Sequence, residues 1–286
     1  MKTDGTPLGW SFGRTCLSAP ERGDKENGYG TFCGGGAGRP RPDHPSGGGA
    51  LGRADCVVYA GSLVNPALLG LVRESVPVYN SAQMTLEQVL EVLEETHRRG
   101  GDTVRLHTGD PCLYGAIREQ MDALDARGIP WDVTPGVSSF CGAAAAAGEE
   151  YTLPGVSQSV IITRMAGRTP VPEGEDIASL AAHGATMVIF LSAGMLEALS
   201  EELQKGAYTA DTPAALVYKA TWPEEKVVRC TVGTLAQAGR EHQISKTALV
   251  LVGDFLAHSY RRSLLYHPGF STEYRRGDGS AEADRP

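Results

Sequence analysis

The chain has 286 residues, enough to bury one large hydrophobic core or two smaller ones. Its formal net charge of −8 argues against a nucleic-acid-binding protein, because such proteins usually carry a basic surface stripe. No apolar run reaches the roughly 18 residues that a membrane-spanning helix needs, and the amino terminus has no secretory signal pattern. The six cysteines form no Cys-x-x-Cys pair and no zinc-ligand spacing. We therefore expect a cytoplasmic protein with reduced thiols, without a bound metal and without a membrane or nucleic-acid partner.

Residues 1–50 are rich in Gly, Arg and Pro and show almost no periodic apolar pattern. This composition predicts a disordered leader, with organised sequence beginning near Ala54. Beyond it, Thr85 and Gln88 have the spacing of a capping box at the start of an amphipathic helix. The pattern then alternates between strands and helices, which indicates a mainly parallel sheet covered by helices. The predicted strands of this half are 56–59, 76–79, 103–107 and 129–134, and a helix through Leu69 and Val72 is predicted between the first two.

A break at residues 149–155 precedes a second alternating segment. Its predicted strands are 159–163, 186–191, 214–219, 226–230 and 247–252, and its predicted helices are 177–182, 195–203 and 232–239. We therefore predict an α/β fold with two domains, at 51–150 and 155–262, and a cleft between them. The polar segment 270–286 is predicted to be a flexible tail.

Residues 104–115 are the most informative stretch, because an apolar run ends in Thr108-Gly109-Asp110-Pro111 and a helical pattern follows. This pattern predicts a tight loop at the carboxyl end of a strand, where open α/β folds bind ligands. Gly-Asp-Pro alone is also ordinary turn chemistry. A second loop of this kind, at residues 134–140, leads into an alanine-rich helix. We expect the two loops to lie side by side on one edge of a sheet.

With these segments assembled, the chain resembles the tetrapyrrole methylases of cobalamin biosynthesis. The segments that carry the resemblance are 57–66, 107–111, 113–116, 134–139, 153–164, 168–172 and 218–223. The Gly-Asp-Pro and Pro-Gly loops are shared by the superfamily. The runs Tyr-Ala-Gly-Ser-Leu-Val, Arg-Thr-Pro-Val-Pro and Lys-Ala-Thr-Trp-Pro favour the branch that methylates ring carbon 11 of precorrin-4 or cobalt-precorrin-4. The match extends from about Leu51 to Phe270.

The resemblance implies a two-domain tetrapyrrole methylase fold, usually a homodimer, with S-adenosylmethionine (SAM) in the cleft. By position, the residues that would contact SAM are Thr108, Gly109, Asp110, Leu113, Ser138, Ser139, Ser192 and Ala220. For Ser192 and Ala220, simple packing at a strand end is an equal alternative. Asp110 is expected to position the ligand rather than act as a base, and the sequence assigns no catalytic base. Cys112 has two interpretations, a nucleophile or a passive part of the loop.

The implied substrate is a small tetrapyrrole with many carboxylates, either precorrin-4 or cobalt-precorrin-4. Candidate substrate-binding residues are Tyr59, Ser62, His107, Tyr114, Arg164 and Lys219. A purely structural role for His107 is equally compatible with the sequence. Two other functions stay open, a sibling methylase that acts on another ring carbon and a non-catalytic protein that binds a tetrapyrrole or SAM.

The family begins with a strand and a loop of the form Phe-Val-Gly-Ala-Gly-Pro-Gly-x-Pro-x-Leu-Ile-Thr. This chain has a different sequence at residues 32–47, but a choice of codons compatible with it can spell that loop when read one base later. The codon of Tyr29, shifted likewise, can supply an initiating Met. We therefore hypothesise that residues before about Gly48 are out-of-frame translation. On this hypothesis the chain lacks its first strand and is poorly stable or inactive, since a missing central strand leaves backbone groups unpaired.

Overall fold

A computed structural model of the chain describes residues 28–35, 45–61, 63–257 and 259–278. Within these ranges the chain forms two five-stranded sheets, one after the other in sequence. The predicted α/β class with two halves is confirmed. No helix in the described ranges has both the length and the apolar character needed to cross a membrane.

Parallel strands form the first sheet. They are β1 (Gly30–Gly34), β2 (Cys56–Tyr59), β3 (Val78–Asn80), β4 (Thr103–His107) and β5 (Trp131–Thr134). Their order is β3-β2-β4-β1-β5, and every pairing is parallel, as the alternating pattern predicted. Since all five strands run the same way, the loops after them meet at one edge of the sheet.

The helices of this half are α1 (Pro45–Arg53), α2 (Leu86–Arg98), α3 (Arg118–Asp125) and α4 (Ser139–Ala147). The predicted capping box of α2 is present, with the Gln88 amide donating to Thr85 Oγ1 and the Thr85 amide donating to Gln88 Oε1. Short 3-10 helices cover Pro66–Leu71 and Ser81–Gln83. The first of these replaces the α-helix expected through Leu69 and Val72.

The prediction that the first strand is absent is wrong. The strand β1 occupies the position between β4 and β5, well inside the sheet. Phe32 and Cys33 are 1% and 0% exposed and enter the two hydrophobic clusters on opposite faces of the sheet. The run Thr-Phe-Cys therefore supplies one apolar side chain to each face of the sheet. The five strand residues were missed because they lie inside residues 1–50, whose overall composition is rich in Gly, Arg and Pro. Helix α1 likewise begins before Ala54, whereas residues 1–27 and 36–44 of the predicted leader lie outside the described residues.

Mixed strand directions characterise the second sheet. Its strands are β6 (Val160–Arg164), β7 (Thr186–Phe190), β8 (Pro213–Tyr218), β9 (Lys226–Thr231) and β10 (Ala248–Val252). The order is β6-β7-β10-β8-β9, with β6–β7 parallel and the other three pairings antiparallel. The link between β8 and β9 is too short for a crossover helix, so these strands form an antiparallel pair.

The helices of this half are α5 (Ile177–Ala181), α6 (Leu196–Gln204) and α7 (Leu235–Glu241). Further 3-10 helices cover Val232–Thr234, Asp254–Ala257 and Leu264–Tyr266. The helix predicted at 232–239 is therefore a 3-10 turn that continues into α7.

Helix α4 joins the two halves, because it follows β5 of the first sheet but packs on the second. Ala143 is fully buried in one hydrophobic cluster with Val188 of β7 and Val217 of β8. Just beyond α4, the Tyr151 hydroxyl donates to the Phe140 carbonyl oxygen at 2.7 Å. This packing brings the carboxyl edge of the first sheet close to the second sheet.

Candidate functional site

The two predicted loops meet at the carboxyl edge of the first sheet. The Gly136 amide donates to Asp110 Oδ2 at 3.1 Å, and the Cys112 amide donates to Asp110 Oδ1 at 2.8 Å. The loops follow β4 and β5, which are separated by β1, so they come together over the end of β1 and not along neighbouring strands. The Asp110 carboxylate thus holds its own loop in shape and fixes the second loop to it.

Glycines line the contact between the loops. A Cβ atom on Gly34, the last residue of β1, would lie 2.6 Å from Gly136 Cα. Gly109 has φ +64°, and a Cβ atom there would lie 3.2 Å from the Ser139 amide nitrogen. Because a Cβ atom at either position would crowd the facing backbone, glycine is what lets the two loops and the end of β1 lie this close together. Gly34 was missed in the sequence because its strand was assigned to the leader.

Two polar side-chain atoms at the end of β4 have no hydrogen-bond partner among the described residues: His107 Nε2 and Thr108 Oγ1. His107 is 3% exposed. Burial, together with the nearby charge of Arg105, lowers the His107 pKa to about 3, so the imidazole is neutral at physiological pH. Buried polar groups without a protein partner need another one, which agrees with a ligand site at this edge.

Ser138 and Ser139 lie at the start of α4, in contact with the first loop. Ser138 is buried and precedes α4, and its side chain makes no capping hydrogen bond to the helix. Ser139 is half-buried. The structure therefore brings both predicted serines to the same place as Thr108 and Gly109.

The loop between β4 and α3 reaches across to the second sheet. Leu113 packs against the hydrophobic cluster that contains Phe190 and Ala220, and the Tyr114 ring centroid lies 5.3 Å from that of Phe190. Tyr114 and Ala116 have φ values of +58° and +49°. Such strained backbone persists only where the surroundings hold it, and it is concentrated at ligand sites.

Ser192 and Ala220 follow strands β7 and β8 of the second sheet. The Ser192 hydroxyl is fully buried, donates to the Phe190 carbonyl oxygen at 2.7 Å and accepts from the Met165 amide at 3.0 Å. Its hydrogen-bonding capacity is thus used within the protein. Ala220 is 8% exposed. Leu191, by contrast, is 60% exposed with φ +54° at the same strand end, and no sequence signal marked it.

Arg164 ends β6 and faces the same region. Its guanidinium donates to the carbonyl oxygens of Met165, Thr169 and Pro170, which fixes the proline-rich loop after β6. Burial raises the Tyr114 pKa, while the positive charge of Arg164 acts to lower it. Arg164 and Tyr114, from the two halves of the molecule, are therefore electrostatic neighbours.

Lys219 is already engaged by its own loop. Its ammonium lies 3.2 Å from Glu224 Oε1 and over the rings of Tyr218 and Trp222, at 5.5 and 4.9 Å from their centroids. The hydrogen bond to Glu224 raises the Lys219 pKa. Lys219 is thus a cation held in a fixed place after β8.

Tyr59 ends β2 at the same edge of the first sheet, where its carbonyl oxygen accepts from Ser81 Oγ at 3.1 Å. The following amide, of Ala60, donates to the Leu106 carbonyl oxygen at 3.0 Å. The loop after β2 is thereby held against β4. Ser62 lies outside the described residues.

The exposed Cys112 thiol is poorly suited to be a nucleophile. Its partial burial and the neighbouring Asp110 raise the pKa of the thiol, which disfavours the reactive thiolate. The passive interpretation of this cysteine is the one that the structure favours. Among the described residues, no group of three or more His, Cys, Asp or Glu side chains is placed to hold a metal ion.

Comparisons with known proteins show which family the chain matches. The model of the Tetrapyrrole (Corrin/Porphyrin) Methylases family matches residues 45–236. The cobalt-precorrin-4 C(11)-methyltransferase of Methanocaldococcus jannaschii is 47% identical over 228 residues, which cover 79% of this chain and 88% of that protein. The precorrin-4 C(11)-methyltransferase of Pseudomonas aeruginosa is 42% identical over 248 residues, covering 86% and 98%.

A solved structure has the same fold. The X-ray structure of a cobalamin biosynthetic enzyme, cobalt precorrin-4 methyltransferase, superposes with a TM-score of 0.78 at 42% identity, covering 80% of this chain and 95% of that one. The uroporphyrin-III C-methyltransferase of Thermus thermophilus, at 28% identity, gives a TM-score of 0.67. The family match, the sequence relatives and the shared fold together show that the chain belongs to the tetrapyrrole (corrin/porphyrin) methylase family.

Proposed function

We propose that this chain transfers a methyl group from SAM to carbon 11 of precorrin-4 or cobalt-precorrin-4 in cobalamin biosynthesis. The observation that carries the proposal is the pair of glycine-lined loops joined by the Asp110–Gly136 hydrogen bond. It lies in a chain whose curated relatives, at 40–47% identity, are named for methylation at carbon 11.

The residues of the paired loops fit SAM. The buried Thr108 Oγ1 has no hydrogen-bond partner among the described residues and offers the ligand a hydrogen bond. Bound there, SAM supplies an electrophilic methyl group on its sulfonium. The residues proposed to hold it are Thr108, Gly109, Asp110, Leu113, Ser138, Ser139 and Ala220, with Ser192 contributing through the backbone of its strand end.

The protein's part in the reaction is to orient the reactants and exclude water. Correct placement of two reactants contributes about 7–11 kcal/mol in favourable cases. Both Asp110 oxygens accept backbone hydrogen bonds, which supports a positioning role for this carboxylate. The neutral His107 is suited to form a hydrogen bond with a ligand, but not to bind an anion as a cation.

The tetrapyrrole is proposed to bind between the two halves, with Tyr59, Tyr114 and Arg164 as its contacts. Arg164 has no carboxylate within ion-pair distance in the described part of the chain, so its charge is available to a substrate carboxylate. Lys219 is a weaker candidate because Glu224 already pairs with it. We further propose domains at 51–150, extended to include β1, and at 155–262, in a cytoplasmic homodimer.

The test is to incubate the purified chain with SAM and precorrin-4, or cobalt-precorrin-4, and to determine the mass of the product. One added methyl group is expected, and NMR of the product should place it on carbon 11. A methyl group on another ring carbon would identify a sibling methylase. Binding of both ligands without any transfer would instead identify a non-catalytic binding protein.

A further inference from the structure

A buried cation lies beneath the site. Arg105, in the middle of β4, is 7% exposed. Its guanidinium donates to Gln120 Oε1 at 3.1 Å, to the Val58 carbonyl oxygen at 3.1 Å and to Ser81 Oγ at 3.0 Å. Within the described residues no carboxylate lies within ion-pair distance of it. Burial lowers its pKa to about 10, which leaves the group protonated at neutral pH.

Keeping a charge inside a protein with only neutral acceptors is unfavourable, because such acceptors replace just part of the lost hydration. An apolar side chain would fill the same place in the core without that cost. The arginine must therefore do something that an apolar residue cannot.

Two of its hydrogen bonds continue into the loops at the carboxyl edge. Ser81 Oγ, which accepts from Arg105, donates to the Tyr59 carbonyl oxygen at 3.1 Å. Gln120, whose Oε1 accepts from Arg105, donates through Nε2 to the Ala116 carbonyl oxygen at 3.0 Å. One guanidinium is thus connected to the loop after β2 on one side and to the loop after β4 on the other.

The connection through Gln120 ends at a residue with strained backbone. Ala116 has φ +49°, a backbone conformation that alanine rarely adopts, and its carbonyl is held by Gln120. The planar guanidinium presents its donors in a rigid fork, so it fixes the distance between its acceptors better than a flexible ammonium does.

We infer that Arg105 is a positioning residue that sets the separation of the loop after β2 from the loop between β4 and α3. Its consequence for catalysis rests on the proposed function. The substrate candidate Tyr59 ends β2 and leads into the first of these loops, whereas the loop after β4 carries the proposed SAM contacts. Their separation then sets the distance between the macrocycle and the methyl donor.

Hydrogen exchange followed by mass spectrometry tests the inference without any turnover. In Arg105→Lys, which keeps the charge but loses the fork, amides of residues 60–64 and of residues 113–118 should both exchange about tenfold faster. Ser81→Ala should accelerate only the first segment, and Gln120→Met only the second. Arg98→Lys, the same change on the exposed face of α2, should alter neither. Should Arg105→Lys fail to fold, the two single-connection variants still decide the question.

Kinetics supply the second readout. The kcat of Arg105→Lys, counted per SAM-binding site, should fall about tenfold or more, because small misplacements of the reactants raise the activation barrier. The Kd for SAM should stay within about threefold of the wild-type value. Unchanged exchange in both single-connection variants, or equal acceleration of the whole chain, would overturn the inference. If the variants show the expected exchange pattern but the wild-type chain transfers no methyl group, the proposed function alone is overturned.

Discussion

The carboxylate of Asp110 accepts a hydrogen bond from the Gly136 amide at 3.1 Å, across the end of β1. The two residues are 26 positions apart in the chain and belong to loops that follow different strands. The other oxygen of the carboxylate accepts from the Cys112 amide. A single side chain therefore closes the turn after β4 and docks the turn after β5 onto it.

Replacing Asp110 by Asn should weaken SAM binding. The amide group retains one acceptor oxygen and turns an NH₂ group toward the second backbone N–H, so one charge-assisted hydrogen bond is lost. Such bonds contribute about 1.5–3 kcal/mol, and we expect the Kd for SAM, measured by calorimetry, to rise about tenfold or more. Asp122→Asn, on the exposed face of α3, is the matched control. An unchanged Kd in Asp110→Asn would show that the carboxylate does not shape the binding loops.

Adding one methyl group at Gly136 should disrupt the contact between the two loops. A Cβ atom there would overlap the Gly109 carbonyl oxygen and lie 2.8 Å from Gly34 Cα, so backbone has to move. Overpacking of this kind typically costs about 1–3 kcal/mol, and we expect Gly136→Ala to lower both the thermal midpoint and SAM affinity. Gly70→Ala, where a Cβ atom would meet nothing within 4 Å, should leave both unchanged. Full SAM affinity in Gly136→Ala would contradict the close contact of the loops.

His107 should make the fold sensitive to acid. The unfolded chain takes up a proton on this side chain as pH falls through about 6.5, whereas folded His107 does so only near pH 3. Between these values the unfolded state binds more protons, so the free energy of unfolding falls by about 1.4 kcal/mol per pH unit from this group. Denaturant titrations between pH 7 and pH 5 should show a shallower decline for His107→Gln than for the wild type. The exposed His242→Gln should follow the wild-type curve, and parallel curves for all three proteins would contradict a buried neutral imidazole.

Local sequence signals identified most of the strands but not β1. Strands such as Cys56–Tyr59 and Thr103–His107 were predicted with their observed bounds because apolar runs end sharply at turn residues. The strand β1 was missed because it has only five residues, two of them glycine, inside a Gly- and Pro-rich segment. Only its pairing with β4 and β5, which are distant in sequence, reveals it.

The sequence predicted neither the strand directions in the second sheet nor the hydrogen bonds of Arg105, because both depend on which segments become neighbours in the fold. Strand direction is set by which strands become neighbours, and periodicity does not contain that information. The sequence pattern does not distinguish Arg105 from the other arginines of the chain. That it is buried, and that it reaches two loops through Ser81 and Gln120, follows from packing of α3 and the Ser81–Gln83 turn against the sheet.

The reading frame of the amino-terminal segment is a separate question with a direct test. We propose that codons before about Gly48 are read out of frame, and the DNA around codons 28–52 should contain the family loop in the shifted frame. The presence of β1 removes the predicted cause of instability, so any loss of activity in this chain is expected to come from residues 36–47. A variant with that segment restored should therefore bind SAM more tightly and turn over faster at a similar thermal midpoint. A stop codon in the shifted frame would end the hypothesis.

The claim on which the account depends is that the loops after β4 and β5 form one binding site. Hydrogen exchange of the chain with and without S-adenosylhomocysteine, the demethylated product of SAM, tests it most directly. The account predicts that bound product slows exchange in residues 108–113 and in residues 136–141 together, in wild type and far less in Asp110→Asn. Protection of only one segment, or of neither at a saturating concentration, would contradict it.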